Sequence, residues 1–79
     1  MSNMDIYRAA LVEGLGLEAG EVQDAVRGET VKWDSIGHMS LIAIVEEEFG
    51  VELEPEDILG FQSYQSGIEI LSKHGIEIQ

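Results

Sequence analysis

Residues 34–53 read DSIGHMSLIAIVEEEFGVEL, and this stretch contains the clearest helix signal in the chain. Asp34 and Ser35 can both accept hydrogen bonds from the unpaired N–H groups of a first helical turn. Gly50 can adopt the left-handed backbone conformation that commonly ends helices. The sequence therefore predicts a helix that begins at Asp34-Ser35 and runs to Phe49.

Two apolar stripes run along this predicted helix. One stripe is expected to enter the core, because its residues recur at helical spacing: Leu41, Val45 and Phe49, with Ile42 beside them. The neighbouring stripe comprises Ile36, Met39 and Ala43. It either contacts the other helices or forms an exposed strip for a partner, and the sequence leaves both possibilities open.

The chain before residue 34 predicts one helix and a long connection. Apolar residues at steps of three and four predict a helix from about Asn3 to Glu13, and Gly14-Leu15-Gly16 supplies its end. The connection to Trp33 is unusually long for a small domain, with a possible short helical turn near 21–26. A connection of this kind usually has a functional or packing role.

The chain after residue 53 predicts two shorter helices and a tail. Pro55 is tolerated in a first helical turn, so 54–59 is expected to form a short third helix. Ser63 can cap a fourth helix that ends near His74-Gly75. The tail from Ile76 to Ile78 alternates like a strand but has no second strand to pair with, so we expect it to pack loosely or fray.

These elements predict an all-α fold, a small four-helix bundle with a long first loop and a short third helix, as one domain over 1–79. A domain of 79 residues buries roughly 60–65% of its unfolded surface and is only marginally stable. Most enzymes need a larger scaffold to build a cleft and position several groups. Size therefore favours a binding, carrier or adaptor role.

The charge of the chain is strongly negative, with 16 Asp and Glu against 4 Lys and Arg. Nucleic acid and anionic membranes should repel it, whereas basic protein surfaces should attract it. No Lys or Arg occurs between Trp33 and Ser72, so this part of the chain carries charge of one sign. A solvated surface without a partner is the alternative explanation.

Other features limit the compartment and the chemistry. The chain has no cysteine, which excludes disulfides, thiolate nucleophiles and thiolate metal sites. The first residues are already mixed in polarity and contain no apolar leader. We therefore expect a cytoplasmic monomer that does not insert into membranes.

The order of features in residues 34–53 resembles the acyl carrier protein family. In that family an Asp-Ser-Leu, Asp-Ser-Ile or Asp-Ser-Met tripeptide begins the second helix, and a Glu-rich turn, Phe-Gly and an apolar-Glu-apolar stretch close it. The resemblance implies a non-enzymatic four-helix carrier of the acyl-carrier type. It also implies that Ser35 receives 4′-phosphopantetheine covalently and that Asp34 is recognised by the modifying transferase.

The resemblance also implies partners: a phosphopantetheinyl transferase, and acyl-loading and acyl-using enzymes with basic patches. The residues predicted to meet them are apolar or acidic and follow the attachment site, namely Ile36, Met39, Glu46, Glu47, Glu52 and Asp57. The sequence does not name the cargo. Fatty acid, polyketide, peptide, amino-acyl and glycan-decorating pathways all use stand-alone domains of this build.

Three other hypotheses compete with the carrier. Asp34, Ser35 and His38 resemble a hydrolase triad in composition, but they lie within one helical turn and no separate oxyanion hole is evident. The acids lack the ligand spacing of a calcium loop, so we expect no dedicated metal site. An acidic interaction module in which Ser35 is never modified stays the alternative. Ser40 lies mid-helix and is a poor attachment point.

The chain departs from the commonest family pattern beside the motif. Trp33 precedes it, and Gly37-His38 follow where fatty-acid carriers usually place an acid. We expect Trp33 to fill the small core and His38 to be half buried against the loop. Gly37 either reflects drift or gives a cognate enzyme close access, and on the second explanation Gly37→Asp should stabilise the fold. The second explanation predicts a specialised pathway, with primary fatty acid synthesis as the alternative.

Overall fold

The computed structural model describes residues 2–79, and all the regular secondary structure in that range is helical. It contains four α-helices and one 3-10 helix in the long first connection. Their bounds are α1 (Asn3–Leu15), the 3-10 helix (Ala19–Asp24), α2 (Ser35–Phe49), α3 (Pro55–Gly60) and α4 (Tyr64–Lys73). The predicted all-α fold, with a long first loop and a short third helix, is confirmed.

The helix ends follow the capping signals in the sequence. The Ser2 hydroxyl accepts a hydrogen bond from the Asp5 N–H, which caps α1. Gly16 and Gly50 follow α1 and α2 with φ angles of 68° and 64°, the left-handed conformation that glycine adopts without a steric penalty. Helix α1 runs two residues beyond the predicted Glu13, because the left-handed residue is Gly16 and not Gly14.

Helices α1 and α2 cross antiparallel and very close together at Gly14. A Cβ at that position would lie 2.8 Å from the Cα of Leu41 in α2. Nearer the start of α1, Ile6 and Ala10 face Ile44 and Glu48 toward the end of α2. Gly14 therefore lets the two backbones approach where any side chain would separate them.

The core is one apolar cluster that draws on every helix. Its largest fully buried side chains are Trp33, Tyr7 and Phe61. The Tyr7 hydroxyl donates a 2.7 Å hydrogen bond to the carbonyl of Tyr64, so this phenol is satisfied although it is buried. Trp33 fills the core as predicted.

The two apolar stripes of α2 have different surroundings. Leu41, Ile42 and Val45 are buried, whereas Phe49 at the end of the helix is only partly buried. The neighbouring stripe is exposed at Ile36, Met39 and Ala43. The structure therefore excludes one of the two possibilities that the sequence left open, namely that this stripe packs against the other helices.

The long connection is ordered by contacts with the start of α4. The predicted helical turn exists, but it covers Ala19–Asp24 and not 21–26. Val26 forms an isolated bridge with Ser63, and the Arg27 N–H donates to the Gln62 carbonyl at 2.8 Å. These bonds satisfy backbone groups that a free loop would leave to water.

The prediction of a loose tail is wrong. The Met4 N–H donates to the Gln79 carbonyl at 3.1 Å, and the Asn3 amide donates to the Glu77 carbonyl at 3.0 Å. Ile76 and Ile78 pack against the core. The alternating apolar residues of the tail form one face, and this face covers the beginning of α1. The tail therefore packs on α1 and does not need a second strand.

The helices of residues 2–79 are too short or too polar for any of them to cross a lipid bilayer.

Candidate functional site

Ser35 is the first residue of α2, and its side chain is exposed. The cap of the helix is Asp34, which has an extended backbone and accepts a 2.8 Å hydrogen bond from the Gly37 N–H through Oδ1. The sequence allowed either residue to cap α2, and in the structure Asp34 is the cap. Because Asp34 caps the helix, the Ser35 hydroxyl is not needed for it.

The surroundings of Ser35 suit a phosphate group. The first N–H groups of a helix have no intrahelical acceptor, and the helix dipole places partial positive charge at this end. The first turn of α2 itself contains no acidic residue, and the neighbouring acid is the Asp34 cap, whose carboxylate is bonded to the Gly37 N–H. A phosphodiester on the Ser35 oxygen would therefore lie at a favourable end of a rigid helix.

Gly37 is required by packing directly beneath this site. A Cβ at Gly37 would lie 2.5 Å from the Lys32 carbonyl oxygen and 3.2 Å from Cδ2 of Leu15. The expectation that Gly37→Asp stabilises the helix is therefore wrong, because the side chain would collide with the backbone of the loop. Close packing of that loop explains the glycine without reference to an enzyme.

We predict that Gly37→Ala destabilises the protein by about 1–3 kcal/mol, the usual cost of overpacking a filled site. Urea unfolding followed by circular dichroism measures the change. Gly20→Ala is the matched control, because a Cβ at Gly20 meets no atom within 4 Å. Equal stability of the Gly37 variant and the control would contradict the packing argument.

His38 is buried, not half buried as predicted, and both of its ring nitrogens are occupied. Trp33 Nε1 donates to His38 Nδ1 at 2.9 Å, and His38 Nε2 lies 2.8 Å from the Ile58 carbonyl oxygen. Burial lowers the pKa of His38, although the Ile58 carbonyl opposes that shift. His38 cannot act as a base toward exposed Ser35, so the structure rules out the hydrolase triad.

Exposed apolar side chains lie near the start of α2. Ile36 and Met39 are 81% and 57% exposed, as a contact surface requires, but that they bind a partner stays a prediction. Sequence analysis missed Val31 and Leu59, which are 91% and 69% exposed. The signal for Val31 was a single apolar residue in a polar segment just before the motif. Leu59 gave no signal, because a short helix can bury either face.

The predicted acidic residues differ in accessibility. Glu47 and Glu52 are exposed. Glu46 is half-buried, and its carboxylate accepts a 2.8 Å hydrogen bond from the Leu53 N–H, which fixes the turn after α2. Asp57 is only 2% exposed, so its assignment to the partner surface is wrong.

Asp57 instead joins α3 to the end of α4. Its Oδ1 accepts a 2.6 Å bond from Lys73 Nζ, and its Oδ2 lies 2.8 Å from His74 Nε2 and accepts from the Glu54 N–H at 3.1 Å. The hydrogen bonds from Lys73 and His74 lower the pKa of Asp57 from 3.8 to about 2. The same contact raises the pKa of Lys73. Asp57 is therefore structural.

We predict that Asp57→Asn lowers the urea midpoint of unfolding at pH 7, since the amide loses the ionic partner of Lys73. A carboxyl whose pKa is depressed stabilises the fold above its unfolded pKa, and that stability is lost as pH falls from about 4 to about 2. The difference in urea midpoint between wild type and variant should therefore become smaller as pH falls through this range. Exposed Glu56→Gln is the control, and a difference independent of pH would contradict the prediction.

Three of the four cationic side chains make contacts within the protein. Lys32 Nζ donates to the Gly16 carbonyl, Arg8 donates to the Ala19 carbonyl, and Lys73 pairs with Asp57. None of the four lies between Trp33 and Ser72, so the exposed acids of α2 and the segment after it have no basic residue in their own part of the chain. Ser40, the other serine of α2, is also exposed but lies in the second turn, away from the helix end.

Comparison with known proteins decides the family. A family model described as "Phosphopantetheine attachment site" matches residues 8–70, which include the whole of α2. The chain belongs to this phosphopantetheine-attachment family. It is also 36% identical over 74 residues to a protein named "Acyl carrier protein" from Solidesulfovibrio magneticus, covering 92% of this chain and 95% of the relative. No solved structure matches the chain significantly.

Membership of the phosphopantetheine-attachment family sets the chemistry of the site. Its cofactor is covalently attached 4′-phosphopantetheine, and acyl carrier proteins carry their cargo on that group. They work with a phosphopantetheinyl transferase and with acyl-handling enzymes, and have no catalytic activity of their own. The predicted family and cofactor are confirmed.

Proposed function

We propose that this chain is a stand-alone carrier that holds acyl or related cargo as a thioester on a phosphopantetheine arm attached to Ser35. The observation that carries the proposal is the position of Ser35, which is exposed at the first residue of α2 within the matched family region. Ser40 is exposed too, but it has neither the helix end nor the preceding acid.

Each residue of the site has a separate task in this proposal. The Ser35 oxygen forms the phosphodiester, and the first turn of α2 stabilises its negative charge. Asp34 holds that turn in place through its bond to the Gly37 N–H and presents its exposed side to the transferase. When attached, the group supplies the thiol that bears the cargo.

Mass spectrometry of the protein exposed to a phosphopantetheinyl transferase and coenzyme A tests the proposal. We expect the addition of one phosphopantetheine, located on the peptide that contains Ser35. An unmodified protein would favour the acidic interaction module instead. Modification of a peptide without Ser35 would overturn the site assignment.

The proposal also assigns a partner surface to α2, consisting of Ile36 and Met39 with the exposed acids Glu47 and Glu52. Because surface ion pairs contribute about 0.2–1 kcal/mol each, the double change Glu47→Gln and Glu52→Gln should raise the transferase KM about two- to thirty-fold at low salt. Steady-state kinetics at two ionic strengths measure the effect. Glu77→Gln, which removes one exposed charge from the tail and lies outside the assigned surface, is the control. A KM insensitive to both salt and charge would contradict this surface.

We further propose a specialised biosynthetic pathway, with primary fatty acid synthesis as the alternative. The departures beside the motif support it, because Gly37 stands where fatty-acid carriers usually place an acid and the next residue, His38, is buried in the interior. Replacement of a fatty-acid-synthesis carrier in growing cells tests it. Growth supported by this chain would favour primary fatty acid synthesis.

A cytoplasmic monomer completes the proposal. The net charge of −12 supports it, because copies of the chain should repel one another at low ionic strength. Sedimentation of the purified protein and fractionation of cells that express it would test the two parts separately.

A further inference from the structure

A polar bridge lies inside the bundle one helical turn below Ser35. Trp33 Nε1 donates to His38 Nδ1 at 2.9 Å, and His38 Nε2 contacts the Ile58 carbonyl at 2.8 Å. An indole nitrogen can only donate, so Nδ1 is the acceptor and Nε2 carries the proton that it donates to Ile58. The two bonds fix His38 in one neutral tautomer.

The bridge joins α2 to α3 one helical turn from the attachment site. His38 lies three residues after Ser35 on α2, and Ile58 belongs to α3. Helix α3 itself packs on α4. Cargo that moved from Ser35 into the core between α2 and α3 would have to pass this bridge.

The space behind the bridge is filled. Trp33, His38 and Phe61 are each at most 2% exposed. The ring centroids of Trp33 and His38 both lie close to Phe61, at 6.3 and 6.5 Å, and the two hydrogen-bonded rings lie side by side with centroids 6.3 Å apart. Interiors are close-packed, so an alkyl chain could enter only by displacing a ring. Its entry would also leave a buried N–H or carbonyl without a partner, which is costly.

We infer that the Trp33–His38–Ile58 bridge excludes cargo from the core and that His38 is the specificity-determining residue of this carrier. The inference rests on the proposed attachment at Ser35. Cargo held on the arm then stays outside the bundle, where long alkyl chains are poorly solvated. The carrier is therefore suited to short or polar acyl groups.

The experiment compares the full-length protein loaded with acetyl-phosphopantetheine and with octanoyl-phosphopantetheine. Mass spectrometry first establishes that each group is on Ser35; absence of modification would refute the proposed function, and the inference with it. Amide ¹H–¹⁵N spectra and thermal midpoints are then recorded. We expect the Trp33 indole resonance, the Leu41 and Phe61 amides and the midpoint to be the same for both cargoes. An octanoyl-dependent shift of these resonances with a higher midpoint would overturn the inference while leaving the carrier function intact.

Variants test whether His38 is responsible. In His38→Ala, removal of the ring opens space, so octanoyl loading should now shift the Phe61 and Leu41 resonances and raise the midpoint. Trp33→Phe serves the same purpose if the first variant does not fold, because it keeps an aromatic ring and removes the indole donor. Ser40→Ala, on the exposed side of α2, is the matched control and should behave as wild type. Octanoyl that stays outside in both bridge variants would overturn the assignment of His38.

Discussion

Ser35→Ala is expected to abolish phosphopantetheine attachment completely. The transferase needs an oxygen nucleophile at the start of α2, and alanine offers none. Intact-protein mass spectrometry after incubation with a transferase and coenzyme A measures the result as the ratio of modified to unmodified protein. No other change in this chain is expected to have so large an effect on function with so small an effect on the fold.

The matched control is Ser40→Ala, which should be modified as fully as wild type because Ser40 lies beyond the first turn of α2. Both variants should retain wild-type stability to within about 0.5 kcal/mol, as exposed substitutions usually do. Asp34 still caps the helix in each of them. Labelling that survived in the Ser35 variant and vanished in the Ser40 variant would exchange the roles of the two serines.

Trp33→Ala is expected to have the largest effect on stability. Loss of a buried large aromatic side chain costs about 3–5 kcal/mol, and domains as a whole are stable by only about 5–15 kcal/mol. The change also leaves His38 Nδ1 without its donor. Urea unfolding at pH 7 should show a greatly lowered midpoint, and the variant should be partly unfolded at 37 °C.

Comparison with Trp33→Phe separates packing from the hydrogen bond. Phenylalanine retains a buried ring but has no N–H, so its cost should be smaller, about 1–3 kcal/mol. If the alanine and phenylalanine variants were equally unstable, the hydrogen bond to His38 would dominate. An alanine variant as stable as wild type would show that Trp33 is not part of the core.

The features that the sequence predicted well are those encoded by neighbouring residues. Asp34 and Gly50 define α2 through local capping, so its bounds and the exposed position of Ser35 could be inferred directly. The apolar spacing of Leu41 and Val45 likewise identified the buried side of the helix. Local backbone chemistry alone is enough to expose Ser35 at the start of a rigid helix.

The errors at the candidate site involve contacts with other segments of the chain. Asp57 was predicted to be a surface acid, because no residue near it in the sequence indicates that Lys73 and His74 bind its carboxylate. Gly37 appeared replaceable because it lies within a well-defined helix. A side chain there would, however, collide with the Lys32 carbonyl of the preceding loop. A helical pattern specifies which residues share a face and does not specify what lies opposite them.

The tail that covers the start of α1 also fixes where the two ends of the chain emerge. The Gln79 carbonyl is bonded to the Met4 N–H, so the ends are neighbours. They lie at the far end of α2 from Ser35, since α1 runs antiparallel to a helix of 15 residues, about 22 Å long. A fluorophore, surface tether or fused domain joined at either end would therefore leave the serine unobstructed. A short linker between the ends would also allow circular permutation without rerouting the chain past the site.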